Sequence, residues 1–465
     1  MKKISIVLLL LGIGCMTGFS QKDLSFYHLY SVTPQSQSFN PAFVPDARVS
    51  LSLPAISGIY INANTGLSYN DIFSKVPMSD SIRVDTDKVM KNLSDKDKIN
   101  ASGSITLFQL GVKIGNSHSF SLYANERFRT MTNYPTKLMK YIVDGNANYI
   151  NVPVEESNFF SDAVHYREYG VGYAYRFKVP AVQSITVGSR LKYLMGFFSL
   201  ETSKKGDILM NTNLDKSIVV QLNDPRVRSA GFDSESLGTY LVDNNNTGFG
   251  FDFGVDVQVD DKLSVSFAVN DIGAISWKEE VKNYNLKGRE ILIEGGDLTD
   301  LDNAIEVIKD SLEAFVEHET DVKSYQTRLT TRYIGSARYQ VTKKGFTTAT
   351  IMLSQDYREL HPSLGLGYTH QFGKILNLSS SLSYHEERGV GVGAGMAARF
   401  GIVQLYTSFD NLLGLVDVRN TDDFQARFGI NFMFGRGDVA PKEPKAPKEK
   451  KVKLSPFPDE YNIEL

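Results

Sequence analysis

Residues 249–259 read Phe-Gly-Phe-Asp-Phe-Gly-Val-Asp-Val-Gln-Val, and that alternation decides the fold class. Successive side chains of an extended strand point to opposite faces. One face here carries Phe249, Phe251, Phe253, Val255, Val257 and Val259. The other carries Gly250, Asp252, Gly254, Asp256 and Gln258. The pattern returns at the far end of the chain, where Phe424, Ala426, Phe428, Ile430, Phe432 and Phe434 oppose Gln425, Arg427, Gly429, Asn431 and Met433. Tyr169 to Phe177 and Leu376 to His385 repeat it.

A soluble β-sandwich also alternates. Three features point instead to a membrane wall. The alternating runs reach the roughly 9–11 residues a tilted strand needs to cross a bilayer. Aromatic residues sit at the ends of the apolar face, as interfacial girdles do. The polar face holds Arg176, Arg190, Lys192, Asp252, Asp256 and Arg427, which suit a wet interior. Strands are expected at 58–69, 99–115, 118–132, 165–179, 182–202, 248–260, 262–277, 326–341, 345–356, 363–373, 376–386, 389–400, 402–412 and 422–434. Every long connection (70–98, 133–164, 203–247 and 278–325) then falls at one end, with tight turns at the other. The fold class is all-β: a transmembrane antiparallel outer-membrane barrel of about fourteen strands, with both chain termini in the periplasm.

The N-terminus sets the compartment. Lys2 and Lys3 precede the apolar run 4–13, and Gly18-Phe19-Ser20 offers a cleavage site before Gln21. Residues 1–20 therefore read as a secretory signal peptide, cut between Ser20 and Gln21. The single cysteine, Cys15, leaves with it. No later stretch approaches the apolar length of a membrane helix. The charge balance, 50 Lys and Arg against 53 Asp and Glu, gives no reason to expect nucleic acid.

Residues 21–57 precede the wall, taken as 58–435. Phe39, Asn40, Pro41, Ala42 and Phe43 are mostly apolar, yet two prolines at 41 and 45 bar a long strand or helix. Such a segment must bury itself, either as a plug in the lumen or as a strap on the periplasmic rim. Gly389, Gly391, Gly393 and Gly395 share one face of a strand, and Gly365 and Gly367 share one nearby. That nearly bare inner wall is a candidate groove for a second backbone or a bulky ligand. Leu298, Leu301, Ile305, Ile308, Leu312 and Phe315 follow helical spacing within one long outer loop. The Lys- and Pro-rich residues 436–465 read as a periplasmic tail, in which Phe457 and Tyr461 are candidate partner contacts.

No catalytic, cofactor or metal site is evident. His118-Ser119 has no orienting third group, His318 has no second ligand at helical spacing, and His370 should face lipid while His385 faces the lumen. Gly389, Gly391 and Ala394 fit a loose dinucleotide pattern, but no helix follows.

Segment 38–46 (Ser-Phe-Asn-Pro-Ala-Phe-Val-Pro-Asp), together with Asn270-Asp271-Ile272-Gly273 ahead of Trp277-Lys278, resembles an uncharacterised Bacteroidota outer-membrane barrel family bearing a domain of unknown function (the DUF5723 type). The chain is similar, more distantly, to the FadL transporters with PorV and PorQ, and to the PorP/SprF proteins of gliding and type IX secretion. The resemblance implies a choice between two functions. One is a plugged conduit for a small, hydrophobic solute. The other is a non-enzymatic scaffold or shuttle subunit of secretion, gliding or surface-protein anchoring machinery. Expected partners are outer-membrane lipid, a hydrophobic small molecule, and a periplasmic or surface protein.

Overall fold

The computed structural model of the chain describes residues 23–94, 98–157, 159–223, 226–231, 245–285, 289–293, 320–355, 360–385 and 389–435. Among them, fourteen antiparallel wall strands close a barrel. Strand β1 has two segments, Val49–Ser52 and Ile59–Asn64. Then follow β2 (Lys98–Ile114), β3 (His118–Asn133), β4 (Ser161–Val179), β5 (Val182–Lys204), β6 (Thr247–Gln258) and β7 (Leu263–Trp277). Strand β8 is again split, Tyr325–Arg328 and Thr331–Thr342. The circuit continues with β9 (Gly345–Gln355), β10 (Leu360–Phe372), β11 (Leu376–His385), β12 (Gly389–Phe400), β13 (Val403–Phe409) and β14 (Asp423–Phe434).

Closure is made by β1, whose two segments pair with β14 on one side and β2 on the other. The wall therefore begins at Val49 and not at residue 58. Pro54 and Ala55, the latter at φ 62°, break the strand between its segments and had hidden the first of them. Outward faces are apolar: Phe249 is 74% and Leu191 61% exposed, as expected of side chains that meet lipid. Inward faces are polar and buried, with Ser379, Ser381, Ser383 and His385 on β11 alone.

Alternation fails once with consequence. Between β6 and β7 the register shifts, so that Asp252 faces a bulge at Asn270–Asp271. Asp271 takes φ 62°, and both Asn270 and Asp271 are buried on the lumen side. At the end with long connections, a separate four-stranded sheet forms from 154–156, 207–212, 218–223 and 289–293. Helix Thr136–Asp144 packs there, with Tyr141, Val154, Met210 and Ile218 in a small core. These strands lie within 133–164, 203–247 and 278–325, which the sequence pattern marks only as long connections. The helix expected from Leu298 to Phe315 lies outside the described residues.

An outward charge at mid-wall should be costly. Phe253→Arg is expected to destabilise the folded barrel by about 2–4 kcal/mol in urea unfolding from lipid vesicles, against about 0–1 kcal/mol for Phe249→Arg near the loop end. Equal costs would show that residues 249–253 do not face lipid.

Candidate functional site

Residues 23–48 turn back inside the barrel. A one-turn helix, α1 (Leu24–Tyr27), leads into two 3-10 turns, Tyr30–Val32 and Pro34–Ser38. Leu24, Phe26, Tyr27, Leu29, Phe39 and Phe43 are buried in one cluster with Ile334, Met352, Ala397 and Tyr406 of the wall. Prolines 34, 41 and 45 keep this segment from regular structure, so its carbonyls need partners from elsewhere. Inward side chains supply them. Gln404 donates to Val32 O at 2.8 Å, Gln109 to Pro34 O at 3.1 Å, Arg190 to Gln37 O at 3.0 Å and Asn270 to Phe39 O at 2.7 Å.

The bare wall faces are where the plug sits. A Cβ on Gly367 would lie 2.2 Å from His28 Nδ1, and one on Gly393 2.0 Å from Ser25 Oγ. Gly395 and Gly365 lie against the same turn of α1, facing Ser25, Leu29, His28 and Leu24. Across the lumen, Gly188 and Gly254 are register partners on β5 and β6, and Cβ atoms there would strike Pro41 and Asn40. Of the four glycines facing α1, Gly395 meets backbone, at Ser25 O, while Gly365, Gly367 and Gly393 meet the side chains of His28, Leu24 and Ser25. Gly391 touches only the neighbouring strand and Asp410, and Gly389, at φ 68°, stands in the open.

Charges fasten the plug at its deep end. The Asp410 carboxylate accepts from the backbone N–H groups of Asp23, Leu24 and Ser25 at 2.5, 3.3 and 2.8 Å. Arg427 grips the Asp23 carboxylate at 2.6 and 2.5 Å, with Gln425 at 3.1 Å. Tyr30 donates to Asp256. Beside the plug, Lys192 meets Asp252 at 2.8 Å and Asp271 at 2.5 Å; Arg332 meets Asp271 at 2.9 Å and Arg127 meets Glu168 at 2.9 Å.

On the loop side of the plug lies a chamber of about 70 Å³. Arg127, Arg129, Arg190, Arg332 and Arg427 line it, along with Tyr60, Asn125 and hydroxyls such as Ser102 and Thr330. The Nε–H groups of Arg127, Arg190 and Arg332 and the hydroxyl of Tyr60 are buried without a hydrogen-bond partner. Each such group left unpaired costs about 1–3 kcal/mol.

Set against the sequence reading, Phe39, Asn40, Pro41, Ala42 and Phe43 lie buried inside the lumen. Arg190, Asp252, Asp256 and Arg427 bind the plug or one another, and Arg176 stands nearer the tight turns beside Thr186. His385 faces inward, 2.9 Å from Ser363, while His370 stacks near Tyr368 and Phe372. Sequence reasoning missed Asp23, Asp410, Glu168 and Arg332, whose partners lie tens to hundreds of residues away. Ser20, Gln21, Phe457 and Tyr461 lie outside the described residues. No group of three or more potential metal ligands occurs among the described residues.

Fold and lumen together define an outer-membrane-type β-barrel with its own N-terminal segment folded into the lumen. The chain belongs to the family of unknown function DUF5723, which matches residues 41–410. No curated protein matches it in sequence. Solved structures similar to it include the Ralstonia pickettii toluene transporter TbuX, at 10% identity and TM-score 0.41, covering 87% of this chain and 94% of that one. A Pseudomonas aeruginosa FadL homologue is similar at 12% identity and TM-score 0.42, covering 90% and 100%. The P. putida toluene transporter TodX is similar at 9% identity and TM-score 0.36, covering 85% and 93%. At such scores the barrel assignment rests on this chain's own strand pairing.

Filling the seat should dislodge the plug. Ser25→Cys, buried in the parent barrel, is expected to react with a maleimide at least about tenfold faster when combined with Gly367→Val, since the added side chain displaces His28. Unchanged labelling in a folded double variant would remove the glycine face from the account of plug seating.

Proposed function

We propose that this protein is an outer-membrane conduit whose lumen is closed by residues 23–48 and which passes a small solute when that plug yields. The observation that carries the reading is the complementarity between plug and wall: inward glycines stand where the plug's backbone or side chains press against the wall, and inward amides and arginines meet its carbonyls. A strap packed against a rim would need neither. Both ends of the wall, Val49 and Phe434, pair at the tight-turn end. With that end taken as periplasmic, Phe434 lies on the periplasmic side and the four-stranded sheet outside the cell. The arginine- and hydroxyl-lined chamber favours a polar solute over the hydrophobic one expected from sequence, because an apolar molecule would strip water from guanidinium groups without replacing it.

Deleting residues 24–46 tests the reading. In planar bilayers the deletion variant is expected to conduct severalfold better than the full chain, which should remain nearly closed. Equal traces from two heat-modifiable, folded barrels would reject the conduit.

A further inference from the structure

We propose that the chamber above the plug is a binding site for a small oxyanion, a molecule presenting carboxylate or phosphate oxygens. The inference rests on the conduit reading only in treating that anion as the solute; occupancy of the chamber does not depend on it.

Three independent observations converge. First, the chamber and the network beneath it hold Arg127, Arg129, Arg190, Lys192, Arg332 and Arg427 against Asp23, Glu168, Asp252 and Asp271. At the chamber itself six arginines, Arg328 included, stand beside the carboxylates of Asp23 and Asp271. Second, buried guanidinium groups at the chamber are incompletely paired. Arg190 and Arg332, each 5% exposed, border the chamber, and their Nε–H groups, with that of Arg127 and the Tyr60 hydroxyl, are buried without a hydrogen-bond partner. Guanidinium edges match carboxylate and phosphate oxygens in geometry as well as charge. Third, the size is restrictive. About 70 Å³ has room for several water molecules, and so for a small polar anion.

The plug forms the floor of this site. Asp23, Gln35 and Ser38 line the chamber, and Arg190 and Arg332 each also donate to plug carbonyls, of Gln37 and Ser38. An anion that draws these two guanidinium groups upward competes with the plug for the same donors. Ligand and plug are thereby coupled through shared side chains.

Calorimetric titration of the full-length barrel in a nonionic detergent, using inorganic phosphate and malonate as separate probes, tests the proposal. Saturable binding of at least one is expected, and the tighter one names the chemical source. Arg129→Gln should weaken it about tenfold, the loss of one charge-assisted hydrogen bond, and Arg129→Lys should recover part of that. The paired variant Arg127→Gln/Glu168→Gln removes a cation together with its partner, so the net charge of the network is kept while an Nε–H is lost; it too should weaken binding. Absence of saturable binding of either anion up to about 10 mM would overturn the proposal, as would equal affinity in Arg129→Gln and the wild type. A barrel that binds phosphate yet gains no conductance on plug deletion would uphold this inference and reject the conduit.

Discussion

Lipid offers no hydrogen-bond partner, so a chain that crosses it as strands must pair its first strand with its last. Here that duty falls on β1, and it is met in two pieces, Val49–Ser52 and Ile59–Asn64, which share β14 and β2 as partners. The same requirement fixes the bore. Barrel diameter grows with strand number, and beyond about eight strands side chains alone no longer fill the interior. A fourteen-stranded wall must therefore enclose water, a ligand or more protein. In this molecule residues 23–48 occupy part of that space, and the wall is cut to receive them: Gly365, Gly367, Gly393 and Gly395 on one side, Gly188 and Gly254 on the other. Glycine weakens a strand interior, so inward glycines opposite an irregular backbone identify the seat by what it costs the sheet.

How far the sequence discloses this depends on the range of each interaction. Wall strands were legible because alternation is local: a ten-residue window around Phe253 or Phe428 suffices. The first half of β1 was not, since Pro54 and the left-handed Ala55 cut it to four residues, too few to display a period. Short strands of the outer sheet failed for the same reason. The inner face of β12 was legible as bare wall, but nothing local says what fills it. That answer came from His28 and Ser25, more than 330 residues upstream of Gly367 and Gly393. Likewise Arg427 and Asp256 read as lumen charges, while their counterparts Asp23 and Tyr30 lie in a segment with no charge pattern of its own.

The two segments that carried the family resemblance prove to be neighbours. Asn270 of the β7 bulge donates to Phe39 O, and Asp271 beside it holds Lys192 and Arg332. A bulge places two consecutive side chains on the lumen face, which regular pleating forbids. One of the pair holds the plug; the other holds Lys192 and, at the chamber wall, Arg332. Local backbone irregularity thus links the plug to the electrostatics above it.

Buried ions cost desolvation that pairing only partly returns. A plug with regular structure would have satisfied its own backbone and could have been held by apolar contact. This one is broken by Pro34, Pro41 and Pro45, so the wall must present donors, and arginine is the side chain that can donate to a carbonyl while pairing a carboxylate. That need explains Arg190 and Arg332, each of which does both. It explains Arg427, which pairs with Asp23. It does not explain Arg129, which donates to Thr330 and touches no plug carbonyl in the contacts described, nor the unpaired edge of Arg127. Positive charge beyond what the plug requires, placed in a polar chamber at its surface, carries a desolvation cost that no plug contact returns. It becomes intelligible when the chamber holds an anion.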